Sequence, residues 1–225
     1  MKMIRIFLIL PVLVAGISAC HTDTAIKNKG NKTVAADTSL DSINTVLAEN
    51  PNNPEALHAR AKIYIQRKMF EQALTDMKQA VQLDSMNSSY FITMADLSIA
   101  ANRTFNAKMF LERAIALDTA NTEAVLRLAE LNLLVRQYPE SMKLLNGVLA
   151  KDKKNTTAWL MRGFVYKETG DTNKAVSDFR SAIEADPDFY NAYMQLGMIF
   201  QLRNNPISEG YFTNAIRVNP KSEEA

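Results

Sequence analysis

Residues 156–189, TTAWLMRGFVYKETGDTNKAVSDFRSAIEADPDF, carry the clearest structural pattern in this chain. Its first half spaces three residues by four and by three, as on one face of a helix: Trp159, Gly163 and Tyr166. Its second half repeats that helical spacing: Ala175, Phe179 and Ala182. Gly170-Asp171 is typical of a turn, and Asp186-Pro187 of a helix end. The stretch therefore predicts two helices joined by a short turn.

The same pattern recurs every 34 residues along the chain. One position is small in every repeat: Ala61, Ala95, Ala129, Gly163 and Gly197. Another is large and apolar: Leu57, Phe91, Val125, Trp159 and Tyr193. Second-helix positions repeat too: Ala73, Ala107, Ser141 and Ala175; Met77, Leu111, Leu145 and Phe179; Ala80, Ala114, Val148 and Ala182. In the last repeat they fall one residue early, on Ser208, Phe212 and Ala215, which indicates a deletion near 204–206.

Local signals agree with the repeat. Asn53-Pro54 predicts a helix start with a capping side chain and a proline in the first turn, and Pro139 and Pro206 fit the same role. A glycine inside a helix is unfavourable, so Gly163 and Gly197 predict a close approach of two helix backbones. Residues 39–51 carry the apolar spacing of one further helix ahead of the first pair.

These residues resemble the tetratricopeptide repeat (TPR) family, whose pattern has a bulky residue, Leu-Gly and Tyr on one helix and Ala, Phe, Ala and Pro on the next. Repeat four matches it best, whereas Ser98 and Asn132 replace the tyrosine in repeats two and three. The resemblance implies an all-α fold, a right-handed α-solenoid of about five helix pairs plus an N-terminal half-repeat helix. The repeats are expected near 54–87, 88–121, 122–155, 156–189 and 190–222, within a solenoid of residues 39–225.

The first twenty residues, MKMIRIFLILPVLVAGISAC, have the basic start, apolar run and small-residue end of a signal peptide. Ile17-Ser18-Ala19-Cys20 resembles the lipobox of bacterial lipoproteins. That resemblance implies cleavage after residue 19 and acylation of Cys20 with fatty chains such as palmitate; the alternative is an ordinary secretory leader. His21 follows instead of Asp, which by family analogy favours the outer membrane, facing the periplasm. Residues 20–38 then predict a flexible tether.

Composition argues against several other classes of protein. The chain has 26 basic and 24 acidic residues. Without residues 1–19, which contain Lys2 and Arg5, the two charges balance, so nothing favours nucleic acid. One cysteine excludes an internal disulfide. No metal-ligand spacing, phosphate-binding glycine loop or nucleophile with a partner base occurs, so we expect no metal, no cofactor and no enzyme activity.

A second stripe on each first helix lies at positions that the repeat does not need for its own core. In the TPR family this stripe lines a concave groove that binds partners. The residues predicted to bind are His58, Lys62, Leu126, Leu133, Leu160, Phe164, Met194 and Met198. The apolar members, in repeats three to five, suit an amphipathic helix or an extended apolar segment of another protein. The family's basic clamp for C-terminal carboxylates is not reproduced.

The sequence therefore predicts a membrane-anchored scaffold of the bacterial envelope that binds other envelope proteins or peptides. Two alternatives stay open. One is a small-molecule or enzymatic role of the groove near His58, Lys62 and Asp96. The other is a structural homo-oligomer formed through the C-terminal helix, which carries Phe212 and Val218.

Overall fold

The computed structural model describes residues 40–222, which form helices and no strand. The helices are α1 Leu40–Glu49, α2 Pro54–Gln66, α3 Phe70–Leu83, α4 Ser88–Ala100, α5 Thr104–Leu117, α6 Thr122–Leu134, α7 Tyr138–Lys151, α8 Thr156–Glu168, α9 Thr172–Ala185, α10 Tyr190–Leu202 and α11 Ile207–Val218. None of these helices is long and apolar enough to cross a bilayer. The signal peptide, Cys20 and the tether predicted for 1–38 lie outside the described residues.

The helices stack as consecutive pairs. The first helices α2, α4, α6, α8 and α10 begin at 54, 88, 122, 156 and 190, which reproduces the 34-residue spacing. Each packs on its own second helix and on the second helix of the pair before it. The lone helix predicted ahead of the first pair is α1, which packs on α2 and buries Ile43 and Leu47. The prediction of an all-α solenoid is confirmed.

The turn inside each pair has one backbone conformation. Its central residue has a positive φ in all five pairs: Lys68, Asn102, Arg136, Gly170 and Asn204. The next amide donates to the carbonyl five residues earlier, as Asp171 N does to Tyr166 O at 2.8 Å. This arrangement satisfies carbonyls at the end of the first helix. Because the five positions are 34 residues apart, the register holds to Asn204, and the slip in the last repeat follows it.

Asparagine side chains cap four of the five first helices. Each accepts a hydrogen bond from an amide in the first turn: Asn53, Asn87, Asn121 and Asn155. The cap predicted at Asn53 is confirmed, and Pro54 is the first residue of α2. Pro139 is the second residue of α7, whereas Pro206 immediately precedes α11. These caps set where those four helices begin.

Gly163 and Gly197 lie under aromatic rings. A Cβ atom added to Gly163 would lie 2.8 Å from Cδ1 of Phe179, and one added to Gly197 would lie 2.6 Å from Cε1 of Phe212. The close approach is therefore between a helix backbone and a side chain, not between two backbones as predicted. The Gly197–Phe212 contact also confirms the one-residue slip, because Phe212 occupies the place that Phe179 has in repeat four.

A half-buried arginine, paired with a buried aspartate, links three helices in repeats one and four. Arg162 donates from Nε and Nη2 to the two carboxylate oxygens of Asp178 at 2.7 and 2.9 Å, and from Nη1 to Asn146 Oδ1 at 2.7 Å. It thereby joins α8 to α9 and α7. Arg60, Asp76 and Asn44 repeat this geometry on α2, α3 and α1. We call each set an arginine bridge.

Candidate functional site

The predicted binding stripe lies along the first helices, on what we call the first-helix face. Four of its six apolar residues are half-buried there: Leu126, Leu133, Phe164 and Met198. The other two are more buried than the sequence indicated, since Leu160 is 3% exposed and Met194 is 7% exposed. Leu160 packs in one cluster with Leu196 of α10, and Met194 in another with Ala215 of α11. These two residues hold the helix pairs together and add little to the exposed surface.

No helix of residues 40–222 packs across the first-helix face. Each first helix contacts its own second helix and the neighbouring second helix, and the further contacts are between first helices, α2 with α4 and α6 with α8. Lys167 Nζ also donates to Gln195 Oε1 at 3.0 Å, from α8 to α10. The first helices therefore form a continuous surface. No other helix of residues 40–222 covers it.

At the start of this face His58 is a hydrogen-bonded neutral side chain. Its Nε2 lies 2.8 Å from Thr93 Oγ1, and Thr93 in turn donates to Ser89 O. The imidazole ring is 4.9 Å from the ring of Tyr90. Burial, followed by the charge of Lys62, lowers the pKa of His58 to about 4. His58 therefore links α2 to α4, while Lys62 is exposed.

This pKa makes stability depend on pH. Since the unfolded chain binds a proton near pH 6.5 and the folded chain only near pH 4, acidification between those values favours unfolding. We expect wild type to lose about 2 kcal/mol of unfolding free energy through this group as pH falls from 7 to 4.5. Urea titrations of wild type and His58→Gln at both pH values test this. An equal loss in the two proteins would contradict it.

The middle of the first-helix face carries an acidic group of residues. Arg127 Nε lies 3.9 Å from Asp96 Oδ1, and Arg127 Nη1 lies 3.4 Å from Glu130 Oε2. Burial is the main cause that raises the pKa of Asp96; the charges of Glu123 and Glu130 add to it, and Arg127 opposes them. Three carboxylates surround one guanidinium, which leaves this part of the face negative. Sequence reasoning missed Arg127, which sits one position after the stripe residue Leu126.

The described residues show no group of three or more His, Cys, Asp or Glu side chains placed to hold a metal ion. The described residues enclose at least two cavities. One lies beside the arginine bridge of Arg60, and the other lies between α5 and α6. Neither is lined by His58, Lys62 or Asp96, the residues of the small-molecule alternative.

Known proteins resemble this chain in repeat sequence and in fold. Human Superkiller complex protein 3 is 34% identical over 67 residues, a match that spans 30% of this chain and only 4% of that protein. The structure of PilW, a widely conserved type IV pilus biogenesis factor, has a TM-score of 0.71 at 19% identity, over 82% of this chain and 86% of PilW. YrrB, a TPR protein with an unusual peptide-binding site, has 0.57 at 18% identity, over 81% and 95%.

Family models identify the repeats directly. Three models, each described as tetratricopeptide repeat, match residues 54–87, 98–162 and 156–189. Together they cover more than half of the 225 residues. They overlap the helix pairs of repeats one to four, including repeats two and three, where the tyrosine is replaced. The chain belongs to the tetratricopeptide repeat family.

Proposed function

We propose that this protein is a lipid-anchored scaffold of the bacterial envelope, which holds a segment of a partner protein against its first-helix face. The TPR fold supports a protein–protein interaction scaffold, and proteins with this fold typically act without catalysis. One observation carries the choice of surface. The first-helix face keeps half-buried apolar side chains in repeats three to five, and no helix of the described residues covers it.

The chemistry of the face specifies the segment. Leu126, Leu133, Phe164 and Met198 favour an apolar stripe, and methionine adapts to irregular shapes. The carboxylates beside Arg127 favour a basic residue in register with α4 and α6, because a positive charge there would offset the excess negative charge. The proposed segment is therefore an amphipathic helix or extended strand with one apolar side and a lysine or arginine near its middle.

In-cell photo-crosslinking tests this assignment. A photoreactive phenylalanine is placed at Lys62 or Gln201, both exposed at the two ends of the face, and as a matched control at Gln82, exposed on a second helix. We expect one partner from both face positions and none from Gln82. Leu133→Glu with Met198→Glu should reduce that product at least tenfold, while the circular dichroism spectrum stays that of a folded helical protein.

The same cells test the anchor. Wild type should incorporate a palmitate analogue, and Cys20→Ala should not, since the proposal places the acyl chains on that thiol. Two or more chains are needed for stable membrane attachment, so the variant should also leave the membrane fraction. Unlabelled wild type would contradict the anchor alone.

Crosslinks that join only copies of this chain would contradict the scaffold and favour a homo-oligomer. Leu202 and Ile216, which are exposed on the last helix pair, would suit such contacts.

A further inference from the structure

A second surface feature lies away from the first-helix face. An open cavity of about 540 Å³ separates α5 from the end of α6. Its volume lies in the range of roughly 300–1,000 Å³ that small-ligand sites have. Its walls include Phe105 and Met109 from α5, and Leu131, Asn132 and Val135 from α6 and its end. The stripe residues Leu126 and Leu133 do not line it.

The space between α5 and α6 lies where repeat three has a smaller residue than repeats one, four and five. Asn132 stands where repeats one, four and five have an aromatic ring: Tyr64, Tyr166 and Phe200. Those rings lie in the hydrophobic clusters of their own repeats. An asparagine side chain is shorter than a tyrosine ring, so repeat three lacks the ring that its neighbour has. The cavity is therefore adjacent to the place of a missing aromatic side chain.

Asn132 itself is left with an unmet hydrogen bond. The residue is 3% exposed, it lines the cavity, and its Oδ1 has no hydrogen-bond partner among residues 40–222. A buried acceptor without a donor is unfavourable. Repeat two also lacks the ring, yet there Ser98 Oγ donates to Met94 O at 2.8 Å. Only repeat three combines the missing ring with an unsatisfied amide in this way.

The outer wall carries two large apolar side chains, beside the charged Lys108 and Glu112, at positions where repeats one, three and four have none. At the position of Phe105 the neighbouring repeats have Glu71, Pro139 and Asn173; at that of Met109 they have Thr75, Lys143 and Ser177. Phe105 is 73% exposed and Met109 51% exposed. Exposed apolar side chains gathered at one place usually mark a binding surface. The repeat fold does not require them, because four helix pairs form without them.

We propose that this cavity binds the side chain of a tyrosine on a partner protein. The ring packs between Phe105 and Met109, as aromatic and thioether groups favour. The phenol hydroxyl, which can donate and accept, meets the amide of Asn132. The partner thus supplies the ring that repeat three lacks.

Neither this chain nor a second copy offers such a ring. Residues 21–38 and 223–225 contain no aromatic residue. All seven tyrosines lie in the described helices, and each is buried or half-buried there. The occupant is therefore a tyrosine from a different protein.

Methyl NMR on the full-length protein, reconstituted in nanodiscs with ¹³C-methyl methionine, tests the site with N-acetyl-tyrosinamide as the probe. We expect the Met109 methyl signal to shift saturably, with a dissociation constant on the order of a millimolar. Met86, which is 68% exposed elsewhere, serves as the internal control and should not shift. N-acetyl-phenylalaninamide, which lacks the hydroxyl, should bind roughly fivefold more weakly.

Two variants distinguish specific binding in this cavity from nonspecific binding of the probe. Asn132→Tyr restores the ring of repeats one and four, and should raise the melting temperature and abolish the Met109 shift. Phe105→Glu copies Glu71 at an exposed position, so it keeps the fold. It should weaken the affinity for the probe at least tenfold. Equal binding of the two probes, equal shifts in Phe105→Glu, or no saturable shift in wild type would overturn the proposal. Concentration-dependent broadening of Met109 without probe would assign the surface to a second copy instead.

Discussion

Gly163→Leu is expected to lower the free energy of unfolding by about 3 kcal/mol or more, which corresponds to a fall in melting temperature of roughly 10 °C. The ring of Phe179 already lies where the Cβ atom would be, and the ring is fully buried. It has little free space into which it can move, because it packs in a buried cluster with Leu160 of α8 and Leu196 of α10. Thermal and urea unfolding followed by circular dichroism measure the loss.

Gly147→Leu provides the matched control. Gly147 lies inside α7, and nothing is within 4 Å of its added Cβ atom. Leucine is a better helix former than glycine, so this variant should gain about 0.8 kcal/mol of unfolding free energy instead.

A pair of substitutions gives a second check. Gly163→Ala with Phe179→Leu copies Ala129 and Leu145 of repeat three and should recover most of the stability that Gly163→Ala alone loses. Equal effects at Gly163 and Gly147 would refute the packing described.

Arg162→Met is expected to cost about 3–5 kcal/mol of unfolding free energy. It leaves the carboxylate of Asp178, whose side chain is 5% exposed, without its charged partner. Both carboxylate oxygens lose a short hydrogen bond, and Asn146 loses its link to α8. Arg60→Met should behave alike, because Asp76 is as deeply buried, with its side chain 6% exposed. Urea unfolding of both variants tests the equivalence of the two arginine bridges.

An exposed ion pair controls for charge alone. Lys174 Nζ lies 2.8 Å from Asp171 Oδ2, but the side chains are 62% and 38% exposed. Water solvates each partner when the other is removed, so Lys174→Met should leave the melting temperature unchanged. Arg162→Met with Asp178→Leu should recover part of the loss, since no charge then remains buried. A single Arg162→Met variant as stable as wild type would show that the bridge contributes nothing.

The repeat pattern predicted the helices well, because 34-residue spacing fixes both helix length and helix order. The five first helices begin where the pattern places them. The sequence also predicts the one-residue shift in the last repeat, at Ser208, Phe212 and Ala215. Capping at Asn53 was also predictable, since it depends on neighbouring residues alone. Capping residues and the 34-residue periodicity are therefore enough to predict most of the fold.

Contacts between repeats were harder to predict. Periodicity places Leu160 and Met194 on the same stripe as Leu133, but burial depends on the adjacent helices, which cover those two and leave Leu133 half-exposed. Spacing also cannot tell a backbone contact from the ring that Phe179 places on Gly163. The replacement of tyrosine at Asn132 was visible in the sequence. Its pairing with Phe105 and Met109 required coordinates.

The packing between neighbouring helix pairs has a mechanical consequence. Within residues 40–222, each helix pair packs mainly on the pairs next to it in the chain. In a stack of this kind, a pair with a neighbour on one side only is less stable than a pair between two others. A ligand that lies lengthwise over α6, α8 and α10 would tie three consecutive pairs together. Binding of such a ligand would then make those three pairs melt as one unit instead of in sequence.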